Sequence, residues 1–464
     1  MISGVVITLL MHLPHFQKDL MSVHVWRQTQ TQSNIDNFYE EDGNILNPRR
    51  NNRGEESGIF RMEFPLMQWL IAGLYSITGQ SILVTRLFMF LTGLGCIWGM
   101  FAFLNAVFRD RQLASLGAWA FCFSPAFYYY MINPLPDVFA LALGLNGIAL
   151  VWGENGKLKY VGLGLISLAT MCKLPFILFM AFSLQQGKNF MDWKTNWRQW
   201  ILWGVFLIPP ALWYAFVVPA WKGNGIVQGL MDNQVPFQQL VDYFLHNLVS
   251  TVPELLVNYA GMPFFLTGLF FIWKQKKRLI DSPAFLLFAS GLIAYFLFEL
   301  NMIAKVHDYY LFPFYPALFL IITYGVKQFR ISRLAWIRNI LWLLLFILPL
   351  TARLRMQTRW NPDSPGFNPD LLTYKEQLRT AVPDTALCIA GNDESGYIFF
   401  YYVHKKGWAF QKNEPLEDQL KTWHLKGAKY LYSDSEEIDE RARRAGLIDT
   451  LIQKQGSIRV YKLR

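Results

Sequence analysis

Residues 82–107 read ILVTRLFMFLTGLGCIWGMFAFLNAV, with one charged residue, Arg86, near the start. A run this long and apolar on every side matches the roughly 20 residues a helix needs to span the hydrocarbon of a bilayer. Similar runs lie on both sides of it, at 1–16, 113–132, 136–153, 159–172, 174–187, 199–219, 252–273, 283–300, 310–326 and 338–353. The fold class these predict is a polytopic all-α membrane protein of about 11 transmembrane helices. The first run has no basic residues ahead of its apolar part and no small-x-small cleavage site, so it reads as an anchor rather than a signal peptide.

Composition agrees. Charged residues are only 16% of the chain, against roughly 25% in ordinary soluble domains, and hydrophobic residues reach 53%. Disordered, nucleic-acid-binding and disulfide-stapled classes are all disfavoured. The net charge of +10 is explained by basic residues in short loops. Arg109 and Arg111, Lys157 and Lys159, Lys188 with Lys194 and Arg198, Lys274 to Arg278, and Lys327 to Arg338 mark alternate loops. The positive-inside rule makes those loops cytoplasmic and puts the first loop and the C-terminal tail outside. Cys96, Cys122, Cys172 and Cys388 are too scattered for a disulfide framework or a zinc site. The absence of an N-x-S/T sequon favours a bacterial inner (plasma) membrane.

Two domains are expected, a transmembrane domain at 1–353 and an extracytoplasmic α/β domain at 354–464. Within the first, residues 17–81 form an outer loop too long for a plain connection. Its stretch 64–79 (FPLMQWLIAGLYSITG) suits a helix lying at the interface. Residues 220–251 form a second outer loop. In the tail, strands are expected at Leu387–Ala390, Trp408–Phe410, Lys429–Tyr432 and Ser457–Lys462, with helices at Glu394–His404 and Pro415–Leu425.

Ionisable residues at span edges are functional candidates by default, because charge is expensive in a membrane. They gather on the outer side: His24, Trp26, Arg27, Gln28, Asp36 and Glu40, then Arg61, Glu63 and Arg86, then Asp137 in the turn Asn133-Pro134-Leu135-Pro136-Asp137, then Lys173, and finally Lys305-Val306-His307-Asp308-Tyr309-Tyr310. Plainer roles exist for several of them. Asp137 and Glu63 could complement helix N-termini, Lys173 could snorkel, Arg86 could anchor to headgroups, and Tyr128-Tyr129-Tyr130 could be an aromatic belt.

The order of these features resembles the GT-C superfamily of membrane glycosyltransferases, in particular the branch with protein O-mannosyltransferases and the lipid A aminoarabinose transferase. The matching pieces are the long first outer loop, Glu63-Phe64-Pro65-Leu66 before a helix closing at Gly79, Thr85-Arg86-Leu87, Asp137, Lys173, and His307-Asp308-Tyr309-Tyr310 followed by Pro313 and Pro316. The resemblance covers about residues 1–350. It departs at Gln28, where relatives carry an acidic residue, and at Phe64, where they often carry a lysine. A glutamine amide cannot serve as a carboxylate base.

The resemblance implies a polyisoprenyl-phosphate sugar as donor, a glycan, glycolipid or protein as acceptor, and membrane lipids but no nucleic acid as other partners. Such a transfer needs cations for the departing phosphate, for which Arg27, Arg61, Arg86, Lys173, Lys305 and His307 are available. It needs a carboxylate base, with Glu63 first and Asp137, Asp308 and Asp36 behind it. His24, Trp26, Gln28, Asp36, Tyr309 and Tyr310 are placed around the substrates. A monophosphate leaving group can be neutralised by protein cations alone, so no metal ligands are assigned, and a divalent cation stays open as a cofactor. Direct displacement would invert the anomeric centre. Two alternatives stand beside this reading, an oligosaccharide transferase or ligase using a diphosphate-linked donor and a non-catalytic transporter or receptor for lipid-linked sugar.

Overall fold

The computed structural model describes all residues except 1, 55–56, 154, 185–192, 221–234, 276–281, 306, 394 and 412–413; at 193–196, 275, 304 and 305 it describes the backbone alone. The basic residues 188, 222 and 276–278, the side chain of Lys305, and much of the second outer loop therefore lie outside the described residues. The first helices are α1 (Ile2–His12), α2 (Val25–Glu40), α3 (Leu66–Thr78), α4 (Ile82–Phe108), α5 (Arg111–Cys122), α6 (Pro125–Tyr130), α7 (Pro136–Trp152), α8 (Leu158–Cys172) and α9 (Trp193–Val217). Two compact units form. A helical unit holds Met1–Phe16, Met62–Phe64 and Arg86–Gln357; a mixed unit holds Gln17–Arg61, Pro65–Thr85 and Thr358–Arg464.

Among the described residues, four stretches are long and apolar enough to cross a membrane: Ile82–Phe108, Trp197–Ala220, Asp308–Arg330 and Ala335–Trp360. Shorter apolar helices occupy several of the other expected spans. Two of those expectations change. The run at 113–132 is broken into α5 and α6, because Ser124 is extended and Pro125 restarts the helix. The run at 252–273 bends by 94° between Phe237–Val257 and Tyr259–Lys274. Asn258 sits at the break with φ +74°, and its amide holds the carbonyls of Phe123 and Leu348 at 3.0 and 3.1 Å.

Helices in lipid gain little from hydrophobic burial against each other, so close packing through small residues takes over. Gly147 of α7 and Gly162 of α8 meet back to back, and a Cβ on Gly162 would stand 2.6 Å from the Gly147 carbonyl oxygen. Gly325 presses in the same way against the Phe264 carbonyl of helix Met262–Gln275. Tyr128, Tyr129 and Tyr130 are fully buried, which replaces the aromatic-belt reading with a core one.

The mixed unit is built on a five-stranded sheet ordered β2-β1-β3-β5-β4. Its strands are β1 (Leu387–Gly391), β2 (Lys406–Ala409), β3 (Tyr430–Ser433), β4 (Ile448–Gln455) and β5 (Ile458–Leu463). β1 pairs parallel with β2 and β3, while β5 pairs antiparallel with β3 and β4. β4 and the helix Glu436–Arg444 are additions to the expected elements, and the expected helices shorten to Ile398–Val403 and Glu417–Leu425. The first-loop segment is part of this unit's core: Leu20 and Val25 are buried with Leu378, Phe399 and Tyr402. It also lengthens the sheet edge, where Arg53 N–H donates to the Gly407 carbonyl and Gly407 N–H to that of Asn51. The amphipathic α3 buries Met67, Ile71 and Tyr75 and leaves Leu70, Leu74 and Ile77 exposed.

Candidate functional site

The predicted residues fall into two groups, one in each unit. In the helical unit the chain reverses tightly between α6 and α7, and Pro136 at the first turn of α7 fixes Asp137 just inside the helix. α8 ends at Lys173, whose extended backbone (φ −160°, ψ 112°) turns the chain into the following 3₁₀ segment Leu174–Leu184. The two ends meet: Lys173 Nζ lies 3.4 Å from Asp137 Oδ1, with both side chains largely buried. Lys173 is thus a buried ion-pair partner rather than a snorkelling residue.

The Lys173 ammonium also faces the rings of Tyr310 and Tyr309, at 5.1 and 5.9 Å from their centroids. These belong to the 3₁₀ segment Asp308–Phe314, which with His307 as its N-cap places four predicted residues together. The His307 ring stacks on Tyr310 at 4.5 Å, and its Nδ1 is 2.9 Å from Tyr309 Oη. Asp308 accepts a 2.6 Å hydrogen bond from Tyr130 Oη. Glu63 rides on a clamped segment: Phe64 N–H donates to the Met171 carbonyl, and Trp213 Nε1 donates to that of Met62. The Glu63 charge is felt at Cys172, next to Lys173, and at Tyr214, which also feels Asp137. Glu63, Asp137, Lys173, His307, Asp308, Tyr309 and Tyr310 therefore form one neighbourhood.

Arg86 is fully buried, so it is not a headgroup anchor. Its guanidinium donates to Asn133 Oδ1 at 2.7 Å and to the Ile132 carbonyl, holding the turn that carries Asp137. Tyr130, Asn133 and Glu299 are members that sequence reasoning did not select. Tyr130 sits in a tyrosine run that invites a belt reading, and Glu299 lies at the end of an apolar helix, close enough to feel Lys173. A carboxylate ending a membrane run was the available signal.

The second group lies in the mixed unit. α2 buries Arg27 and every residue from Gln28 to Ser33, an unusual polar load for one helix. Arg27 bonds Gln30, which donates to Tyr397 Oη at 2.9 Å. Gln28 Nε2 donates to the Val23 carbonyl. His24 begins the helix in a left-handed conformation (φ +56°), and Trp26 packs on the unit's core. Arg61 ties its own loop together, donating to the Leu46 carbonyl and Asn47 Oδ1.

Asp36 accepts from Gln32 Nε2, which also donates to Tyr75 Oη. Burial pushes the Asp36 carboxyl up to about 6; bonds from Gln80 and Gln32 only partly oppose this, and Glu40 adds to it. Burial also works to raise Glu40, but hydrogen bonds from His404 and Lys406 outweigh it and hold that carboxyl down at about 2. Among the described residues, no three His, Cys, Asp or Glu side chains converge as a metal-ligand set.

No family model and no curated protein matches the chain. Solved structures do. ArnT from Cupriavidus metallidurans bound to undecaprenyl phosphate superposes with a TM-score of 0.68 at 12% identity, over 99% of this chain and 97% of that one. The archaeal oligosaccharyltransferase AglB from Archaeoglobus fulgidus, in complex with an inhibitory peptide and a dolichol-phosphate, gives 0.57 at 12%, over 93% of this chain and 69% of that one. The mycobacterial arabinofuranosyltransferase AftD gives 0.53 at 12%, covering all of this chain and 39% of the other. Over nearly its whole length the chain shares the fold of these solved structures.

Proposed function

We propose that this protein is an integral membrane glycosyltransferase that moves a sugar from a polyisoprenyl-phosphate carrier to a hydroxyl-bearing acceptor at the outer face of the membrane. The observation that carries the reading is the buried Lys173–Asp137 pair, set against Tyr309, Tyr310 and His307. A cation held in a low-dielectric, aromatic-walled site is worth far more to a developing phosphate charge than one in water. The likeness to structures holding undecaprenyl phosphate and dolichol-phosphate supports the donor class.

In this mechanism Asp137 keeps Lys173 in place until the donor phosphate takes over as its counter-ion, with His307 beside it. Glu63 accepts the acceptor's proton as the acceptor oxygen attacks the anomeric carbon from the face opposite the phosphate. The bond from that carbon to the phosphate oxygen breaks, the electron pair leaves with the lipid phosphate, and the anomeric centre inverts. Arg86 is a positioning residue acting through Asn133. The test is turnover of radiolabelled polyisoprenyl-phosphate sugars by protein in nanodiscs, with a membrane extract as acceptor pool. Label is expected to reach a new product, and to fail to do so with Lys173→Ala and Glu63→Gln. Donor binding with no transfer across a broad acceptor pool would replace the enzyme with a transporter or receptor.

A further inference from the structure

The mixed unit carries a half-open pocket of about 230 Å³, and all of its lining residues belong to that unit. α2 contributes Gln32 and Asp36, the α3–α4 connection contributes Gln80, and the C-terminal part of the unit contributes Lys375, Arg379, Tyr401 and His404, with Asp19 from the segment before α2. The cavity has room for one sugar ring. Its charges nearly balance: the carboxylates Asp19 and Asp36 face the cations Lys375 and Arg379, and His404 is engaged by Glu40 at 3.3 Å. Lys375 Nζ is 2.6 Å from Asp19 Oδ1, and Tyr401 Oη donates to the same oxygen at 3.2 Å. Arg379 is anchored on the carbonyls of Tyr401 and Tyr402.

A balanced wall of this kind discriminates against a phosphate, which would face two carboxylates, and against an amine, which would face two cations. It suits a ligand whose every group both donates and accepts. We propose that this cavity is a binding site for a single uncharged monosaccharide ring, whose hydroxyls donate to Asp36 and Asp19 and accept from Gln80, Lys375 and Arg379. As an acceptor subsite it rests on the transferase reading; as a sugar site it does not. The carboxylate of Asp36 accepts hydroxyls more strongly than its acid. The groups facing it are Gln32, Glu40, Tyr75, Gln80, His404 and the Lys375, Arg379 and Asp19 set, and with Asp36 held up to about 6, binding tightens between pH 5 and 7.

The experiment is ligand-observed NMR with the full chain in nanodiscs, using methyl glycosides of neutral hexoses and pentoses, glucosamine and inorganic phosphate as separate probes. A neutral glycoside is expected to bind, its Kd rising about tenfold in both Asp36→Asn and Lys375→Met, as loss of one charge-assisted bond requires. Binding is expected to persist in Lys173→Ala, which separates this site from the reaction centre. Preference for phosphate or amine, or neutral-sugar binding that neither cavity variant weakens, overturns the proposal. Loss of turnover in Lys173→Ala with sugar binding intact upholds both readings. Sugar binding in a protein that never transfers label leaves this site standing while the transferase falls.

Discussion

At the scale of single residues, Lys173 and Asp36 carry opposite lessons about buried charge. Lys173 has a counter-ion at 3.4 Å and two aromatic rings, so removing it takes a cation away from the buried Asp137. Lys173→Ala is expected to lower kcat by about 10²–10³, the range for losing one preorganised charge at a leaving group. Asp137→Asn, which removes the carboxylate charge 3.4 Å from Lys173, is expected to weaken donor binding and stability together, read by donor titration and thermal unfolding.

Asp36 accepts from side-chain amides, and burial raises its carboxyl from 3.8 to about 6. The folded state therefore holds the proton more tightly than the unfolded one. Stability contributed by this group is full below pH 4, declines between pH 4 and 6, and is lost above 6. Asp36→Asn keeps the acceptor for Gln32 and removes the titration. It is expected to be more stable than the parent at pH 7.5, by at most about 3 kcal/mol, with the advantage gone at pH 4. Thermal melts of both proteins across that range read the crossing directly.

At the scale of elements, the membrane helices depend on pairs of glycines. Gly162→Leu and Gly325→Val each push a side chain into a facing backbone. Each is expected to destabilise by about 1–3 kcal/mol or more, seen as a lower melting temperature in nanodiscs. Gly204→Ala in α9, where a Cβ meets nothing within 4 Å, is expected to leave the melt unchanged.

The same elements show what a sequence reader can and cannot see. Apolar length exposed the spans, because the bilayer demands it of each helix separately. It hid the 94° bend at Asn258, where a side-chain amide replaces the missing backbone bonds. α2 was invisible: its run of Gln, Thr and Ser has no apolar period, and its stability comes from bonds to Tyr75, Asn51 and Tyr397 far along the chain. β4 was missed because it is an edge strand with mostly exposed side chains. Helix Glu436–Arg444 did carry a local signal, Ser435 capping Ile438 N–H ahead of an acidic first turn. Of the candidate site, Glu63, Asp137, Lys173 and Asp308 were legible as charge at span edges, whereas Glu299 was passed over at the end of an apolar helix. Tyr130 and Asn133 were not legible, because their roles exist only once Asp308 and Arg86 arrive.

At the scale of the molecule, shape is retained at 12% identity with ArnT, which fits a fold set by helix length, turn position and small-residue contacts rather than by particular side chains. The mixed unit is assembled from both ends of the sequence, with Leu20, Val25 and the 51–53 segment completing a core and an edge otherwise made by residues after 358. Residues 358–464 expressed alone are therefore expected to give poorly dispersed amide spectra and no cooperative melt. Adding segment 17–61 through a flexible linker is expected to restore both.

That interleaving also sets an order of events in time. As the ribosome works along the chain, segment 17–61 is finished while its partners beyond 358 do not yet exist, and all of the helical unit except Met1–Phe16 is made in between. Throughout that interval the buried face of α2 and the apolar Leu20 and Val25 wait without a home. Closure of such distant contacts is intrinsically slow, so the final act of maturation is the docking of the youngest part of the chain onto nearly the oldest. A premature stop or a stalled translation complex thus leaves a membrane-inserted protein displaying an adhesive, half-built surface, which is what cellular proteolysis is equipped to detect.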